Sequence, residues 1–281
     1  MLVNGVSTKY GCRLAFAAYI SLVTSWWMHL ERSLDRARAR VVDPARDRYW
    51  AVADRFLPRK LAWQVWAAAV LLFCVPYVLM WSVVHVHIDM RPCAFALDDP
   101  LFHVIAYDPR WFWVTHQVYS WITISALAVF VANAVLGDHR PLVVWGASLG
   151  LQAILRSTTL LLLPLCRVTV APGSRALTET PLLNLGLVSI PWRVWATNDM
   201  MFSGHVGEFL LLYWCTRQWP KGVRSGLLVF QIVQIYGLLA TRGHYTIDVV
   251  LAVPCALLEF RLALWGLLHA AGVRQPAVAR A

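Results

Sequence analysis

Six stretches of nearly unbroken apolar sequence leave this chain few ways to fold. They run from about Leu61 to Val84, Trp113 to Leu136, Pro141 to Leu163, Met201 to Thr216, Gly226 to Ala240 and Tyr245 to Leu258. Five are firm and the last is shorter. Inside a bilayer the backbone has no water to bond, so such runs must satisfy their N–H and C=O groups internally, as helices. A helix rises about 1.5 Å per residue and takes roughly 20 residues to cross about 30 Å of hydrocarbon. The pattern predicts an all-α fold, a polytopic membrane helix bundle of six core transmembrane helices. Composition points the same way: 59% of the 281 residues are hydrophobic and 14% charged, too few polar groups to cover the apolar surface in water.

A seventh run, Leu14 to Leu30, carries Trp26 and Trp27 and is at the lower limit for a crossing. It either spans or lies in the interface. The segment from Glu31 to Lys60 holds Arg32, Arg36, Arg38, Arg40, Arg46, Arg48, Arg55 and Arg59, a cytoplasmic-side signature. With that segment inside, the joints Gly137 to Arg140 and Arg217 to Arg224 are also inside and rich in cations. The loops 85–112, 164–200 and 241–244 are then outside. The expected organisation is residues 1–60 as an apolar helix plus Arg-rich cytoplasmic segment, 61–262 as the main membrane domain, and 263–281 as a tail.

The net charge of +10 does not make this a nucleic-acid binder. Its arginines flank apolar runs instead of forming an aromatic-interleaved basic face. The six cysteines, Cys12, Cys74, Cys93, Cys166, Cys215 and Cys255, contain no CxxC pair and no metal-ligand spacing. Cys93 and Cys166 share the outer side in this topology, so a disulfide there is an open option.

Two segments break the apolar background at the same face: Asn198-Asp199-Met200-Met201-Phe202-Ser203-Gly204-His205, and Arg242-Gly243-His244-Tyr245-Thr246-Ile247-Asp248. His244 and Asp248 are four apart, on one helix face, so the carboxylate can orient the imidazole. An imidazole so held can attack phosphorus and form a phosphohistidine, with His205 protonating the leaving oxygen. Ser203-Gly204 opens a helix whose amides and positive dipole end suit an anion. Arg156 lies within an apolar run, where a cation needs a partner or a task. With Arg242 it would clamp phosphate through its guanidinium fork. Glu208, one turn after His205, either tunes that histidine or pairs with Arg156. Asp199 is either a supporting acid or a helix N-terminal charge. His103, His116 and His139 are read as packing or interfacial residues. A metal site is the other chemical option, but His205, His244 and Asp248 offer only one acid beside two imidazoles. The mechanism calls for no cofactor and no metal.

These segments resemble the lipid phosphate phosphatase superfamily, and more closely its sphingomyelin synthase-like branch. That branch's third motif is similar to Asp199 with Ser203-Gly204-His205, and its fourth to His244-Tyr245-Thr246-Ile247-Asp248-Val249. Arg156-Ser157-Thr158 followed by Pro164 looks like the arginine-bearing second motif, and Asp98-Asp99-Pro100-Leu101 is a looser echo of the first. The likeness covers about Leu61 to Leu258. It implies a six-helix bundle with a triad at the outer or lumenal face: His244 as nucleophile, Asp248 orienting it, His205 as leaving-group acid, with Tyr245 beside them. Asn198 stands where the synthases usually have Cys, Phe202 where phosphatase relatives commonly have Pro, and Arg242 sits closer to the histidine than the phosphatases' last Arg. The expected activity is a phosphotransferase whose partners are a phospholipid donor and a lipid alcohol acceptor, ceramide or diacylglycerol, within the bilayer. A phosphatase acting on a lipid phosphate or polyprenyl diphosphate is the alternative, and a noncatalytic membrane protein the third reading.

Overall fold

The computed structural model describes residues 43–84, 87, 97–163 and 202–271. Among them every regular element is helical. The chain divides into units Met1–Arg48 and Tyr49–Ala281. The first is described only at its last few residues, which begin a helix, α1, Asp43–Phe56. Then come α2, Trp63–Leu79, which runs on as a π-helical turn, Met80–Val84, and a short α3, Leu101–Val104. A 3-10 turn, Pro109–Trp111, and a π-helical segment, Trp113–Val118, lead into α4, Tyr119–Val135. The remaining helices are α5, Arg140–Leu162; α6, Gly204–Cys215; α7, Lys221–Ala240; and α8, Thr246–Ala270. Leu14 to Leu30, the Cys93–Cys166 pair, the loop 164–200 with Asp199, and residues 272–281 lie outside the described residues.

The helical stretch Pro109–Val135 and α7 are long and apolar enough to cross a membrane; α2 is apolar but shorter. This is consistent with a membrane protein. Helix boundaries differ from the sequence reading in two places. α7 starts at Lys221, directly after Pro220. α8 does not stop at Leu258 but carries Glu259 and Arg261 on to Ala270. Charge does not end the helix: Glu259 is buried at 1% exposure, and Pro254 is accommodated within the helix.

α5 is the central element, packing on α2, α6 and α8. Its approach to α2 has a simple cause. Pro76 has no N–H, so the carbonyl of Leu72, four residues earlier, loses its helical donor. Gly150 closes over that carbonyl: a Cβ there would stand 2.0 Å from Leu72 O. Only a residue without a side chain fits.

At the end of the bundle remote from the histidines, the buried Arg140 ties three segments together. Its Nε and Nη2 donate to the two oxygens of Asp138 at 2.8 and 2.9 Å, and its Nη1 donates to Asp54 at 2.7 Å. Arg217 donates to the other Asp54 oxygen. Burial alone would push the Asp138 carboxyl up, but the Arg140 bonds and charge outweigh it and hold it below its ordinary value. His139 is structural, its Nδ1 accepting from Trp66 Nε1 at 2.9 Å and from the Leu61 amide at 3.2 Å.

Candidate active site

The two histidine segments start neighbouring helices and are joined through their backbones. Ser203 is the N-cap of α6: its Oγ accepts from the Val206 amide at 3.4 Å, satisfying one of the donors that a helix start leaves open. Its own N–H donates to the carbonyl of Asp248 in α8 at 2.9 Å. Under both starts lies an apolar cluster of Phe202, Val206, Leu238, Leu239, Val249 and Ala252. Phe202 thus anchors the turn just before Ser203, and the two N-termini are fixed in register by packing and by one hydrogen bond.

On this base the predicted residues converge. His244 and Asp248 are both buried, and His244 Nδ1 stands 3.4 Å from Asp248 Oδ2. The same carboxylate oxygen accepts from the Tyr245 amide at 3.0 Å, which aims it along the helix start. With Nδ1 toward the carboxylate, Nε2 is the nitrogen left for nucleophilic attack. The His205 ring lies 6.1 Å from that of His244, centroid to centroid. His205 is 4% exposed, so water is largely excluded from it.

Arg156 on α5 reaches the start of α6, donating from Nη1 to the carbonyl of Phe202 at 2.7 Å. Gly204 makes this approach feasible: a Cβ there would be 2.7 Å from Nη1 and 3.2 Å from Cζ. The residues expected to bind phosphate, Arg156, Ser203 and Gly204, are therefore gathered at the N-terminal end of α6, where the helix dipole is positive.

Arg242 has other partners. It ends α7 at φ 57°, a left-handed conformation that costs a non-glycine residue about 1–2 kcal/mol. Its guanidinium donates to the carbonyls of Leu239, Phe102 and Ile105 at 2.7–2.9 Å and lies 4.2 Å from the Phe102 ring centroid. Three carbonyls and an aromatic face let it strap the α3 loop to the turn before His244. Asp99 works on the same loop: its carboxylate accepts from the Thr246 amide, from Thr246 Oγ1 at 2.8 Å and from the Leu101 amide at 3.0 Å. It caps α8 from a distance and so supports the helix that carries Asp248. Tyr245 stacks on Phe102 at 5.8 Å, and its hydroxyl accepts from the Leu97 amide at 3.4 Å.

Glu208 receives two phenols. Its oxygens accept from Tyr77 at 3.0 Å and from Tyr119. Tyr119 in turn lies 5.1 Å from the His205 ring, so Glu208 bears on His205 through a tyrosine. The sequence reading named neither tyrosine. It also set His116 aside as packing, whereas the His116 ring lies 5.1 Å from His205 in an edge-to-face pose. A cluster of polar residues, Thr115-His116-Gln117, at the head of an otherwise apolar run was the available signal. Among the described residues no group of three or more His, Cys, Asp or Glu is arranged to hold a metal ion.

Residues 197–264, about a quarter of the chain, match the family model described as PAP2 superfamily C-terminal. The match supports membership of that superfamily. It spans both histidine segments and α6 through most of α8, and it supports lipid chemistry of the phosphatase or phosphotransferase type. No curated protein and no solved structure matched the chain.

Proposed function

We propose that the protein is a lipid phosphotransferase that moves a phosphorylated headgroup from a glycerophospholipid to a lipid alcohol, ceramide or diacylglycerol, through a phosphohistidine on His244. The observation that carries this reading is the buried His244–Asp248 pair at 3.4 Å with His205 facing it. Asp248 holds the His244 tautomer that exposes Nε2. Nε2 attacks phosphorus, His205 gives its proton to the departing glyceride oxygen, and the acceptor hydroxyl then displaces the histidine. Arg156 and the N-terminal end of α6 supply positive charge where the phosphoryl oxygens gather it.

The same reading makes the chain a multi-pass membrane protein of six core crossings. The Arg-rich segment is cytoplasmic, and the site lies on the periplasmic, exoplasmic or lumenal face. The bias of Arg140, Arg217, Lys221 and Arg224 toward the opposite joints supports that orientation. The second reading, a phosphatase in which water resolves the same intermediate, is supported by the superfamily match, which fits it as well as it fits transfer. Incubating the reconstituted protein with phosphatidylcholine, phosphatidylethanolamine or phosphatidylinositol and labelled ceramide or diacylglycerol separates them. A labelled phospholipid product is expected. Phosphate release from an added lipid phosphate, without transfer, would select the phosphatase, and inertness toward all donors would refute both.

A further inference from the structure

Three imidazoles stand in sequence at this site, and the phosphohistidine scheme uses two. His116 is held as firmly as the others. It lies on the π-helical segment Trp113–Val118, and such widened turns are frequent at functional sites. Phe112 stacks on the ring at 3.8 Å with planes 15° apart. Nδ1 faces the Phe112 carbonyl at 3.2 Å and Thr115 Oγ1 at 2.8 Å, while the Thr115 hydroxyl itself donates to that carbonyl. A carbonyl can only accept, so Nδ1 carries the proton and Nε2 the lone pair. Thr115 is fully buried, and α7 makes room for it at Gly237, where a Cβ would come within 2.7 Å of Thr115 Cγ2. The ring is thereby fixed in position and in tautomer, against His205. His205 and His244 are buried and His116 is half-buried, so of the three its ring is the most exposed.

We propose that His116 is the general base for the acceptor hydroxyl, dividing with His205 the acid and base roles that one histidine would otherwise have to fill in turn. The proposal rests on the phosphohistidine reading. In the first half-reaction the His244 Nε2–P bond forms, the donor P–O bond breaks, and the proton of His205 leaves on the donor oxygen. In the second, the acceptor O–P bond forms, the N–P bond breaks, and the acceptor proton goes to His116 Nε2. Transfer of that proton from His116 to His205 restores the starting state, with no net proton gained or lost.

The test measures the two half-reactions apart. Protein reconstituted in vesicles of mixed phosphatidylcholine, phosphatidylethanolamine and phosphatidylinositol is quenched with and without short-chain diacylglycerol, and phosphohistidine is quantified by mass spectrometry. In His116→Phe, which keeps the ring and its stacking, phosphohistidine forms at near the wild-type rate. Its discharge to diacylglycerol slows about 100-fold, the scale of a lost general base, so the intermediate accumulates. His116→Gln behaves likewise, and a more acidic alcohol such as trifluoroethanol recovers part of the loss in both. Discharge at the wild-type rate in both variants, or equal slowing of formation and discharge, would overturn the proposal. Absence of phosphohistidine in the wild type would overturn the phosphohistidine reading itself, and this inference with it.

Discussion

Gly204→Ala separates a role in folding from a role in chemistry. The new Cβ would stand 2.7 Å from Arg156 Nη1, and ordinary contact begins near 3.4 Å, so the guanidinium must retreat by about 0.7 Å. Because it is the far end of a flexible side chain, it can. The bond from Nη1 to the Phe202 carbonyl, now 2.7 Å, would then stretch past the roughly 3.2 Å limit for N–H···O bonds. Losing a bond to a charged group costs about 1.5–3 kcal/mol, and because Gly204 is the first residue of α6 the gain from replacing a glycine, which applies to helix interiors, offsets little of it. Stability should therefore fall by no more than about 3 kcal/mol. Catalysis suffers more, since misplacing a catalytic group by about 1 Å can cost around 100-fold. The expected result is headgroup transfer down 10- to 100-fold, an effect of about 1.4–2.7 kcal/mol on the barrier, with a melt that stays cooperative and falls by no more than about 10 °C. Arg156→Ala should lose at least as much activity. Full activity in Gly204→Ala would show that the place of Arg156 does not matter; an unfolded protein would show that the guanidinium cannot yield.

Gly150→Ala should do the opposite. Its Cβ meets the backbone of Leu72, which cannot move without shifting α2, so the substitution should lower the melting temperature steeply or abolish folding; a stabilised protein would refute the account of the Pro76–Gly150 contact. The Asp138 carboxyl titrates below its unfolded value of about 3.9. Its contribution to stability is thus complete above pH 4 or so and is lost as pH falls through the lower, folded value. Asp138→Asn should lower the melting temperature at pH 6 and flatten its decline between pH 5 and 3; parallel curves for the two proteins would count against the Arg140 cluster as its cause.

The helices were legible because apolar runs declare themselves, and the histidine pair because His244 and Asp248 lie one turn apart and Ser203-Gly204-His205 opens a helix. Pairings across the fold were not. Asp99 caps Thr246 from 147 positions away, and nothing local to either residue announces it. Arg242 is read from sequence as a phosphate clamp with Arg156 because a guanidinium fork matches phosphate oxygens, and its fold partners are not visible there. Its left-handed backbone and three carbonyl partners depend on where α7 stops. His116 was set aside since a lone histidine in an apolar run is ordinarily a packing residue; only the π-helical turn, which has no sequence period of its own, brings its ring to His205. The apolar run ends at Leu258, yet α8 continues to Ala270 with Glu259 buried inside the fold.

The central claim is a covalent intermediate on His244, and the most direct test is to trap it. Rapid acid-free quench of the reconstituted protein with donor phospholipid, followed by peptide mass spectrometry, should place an acid-labile phosphoryl headgroup on His244. It should be chased by acceptor into a lipid product, absent from His244→Ala, and nearly absent from His205→Asn. Product formed by His244→Ala, or label found on another residue, would contradict the account.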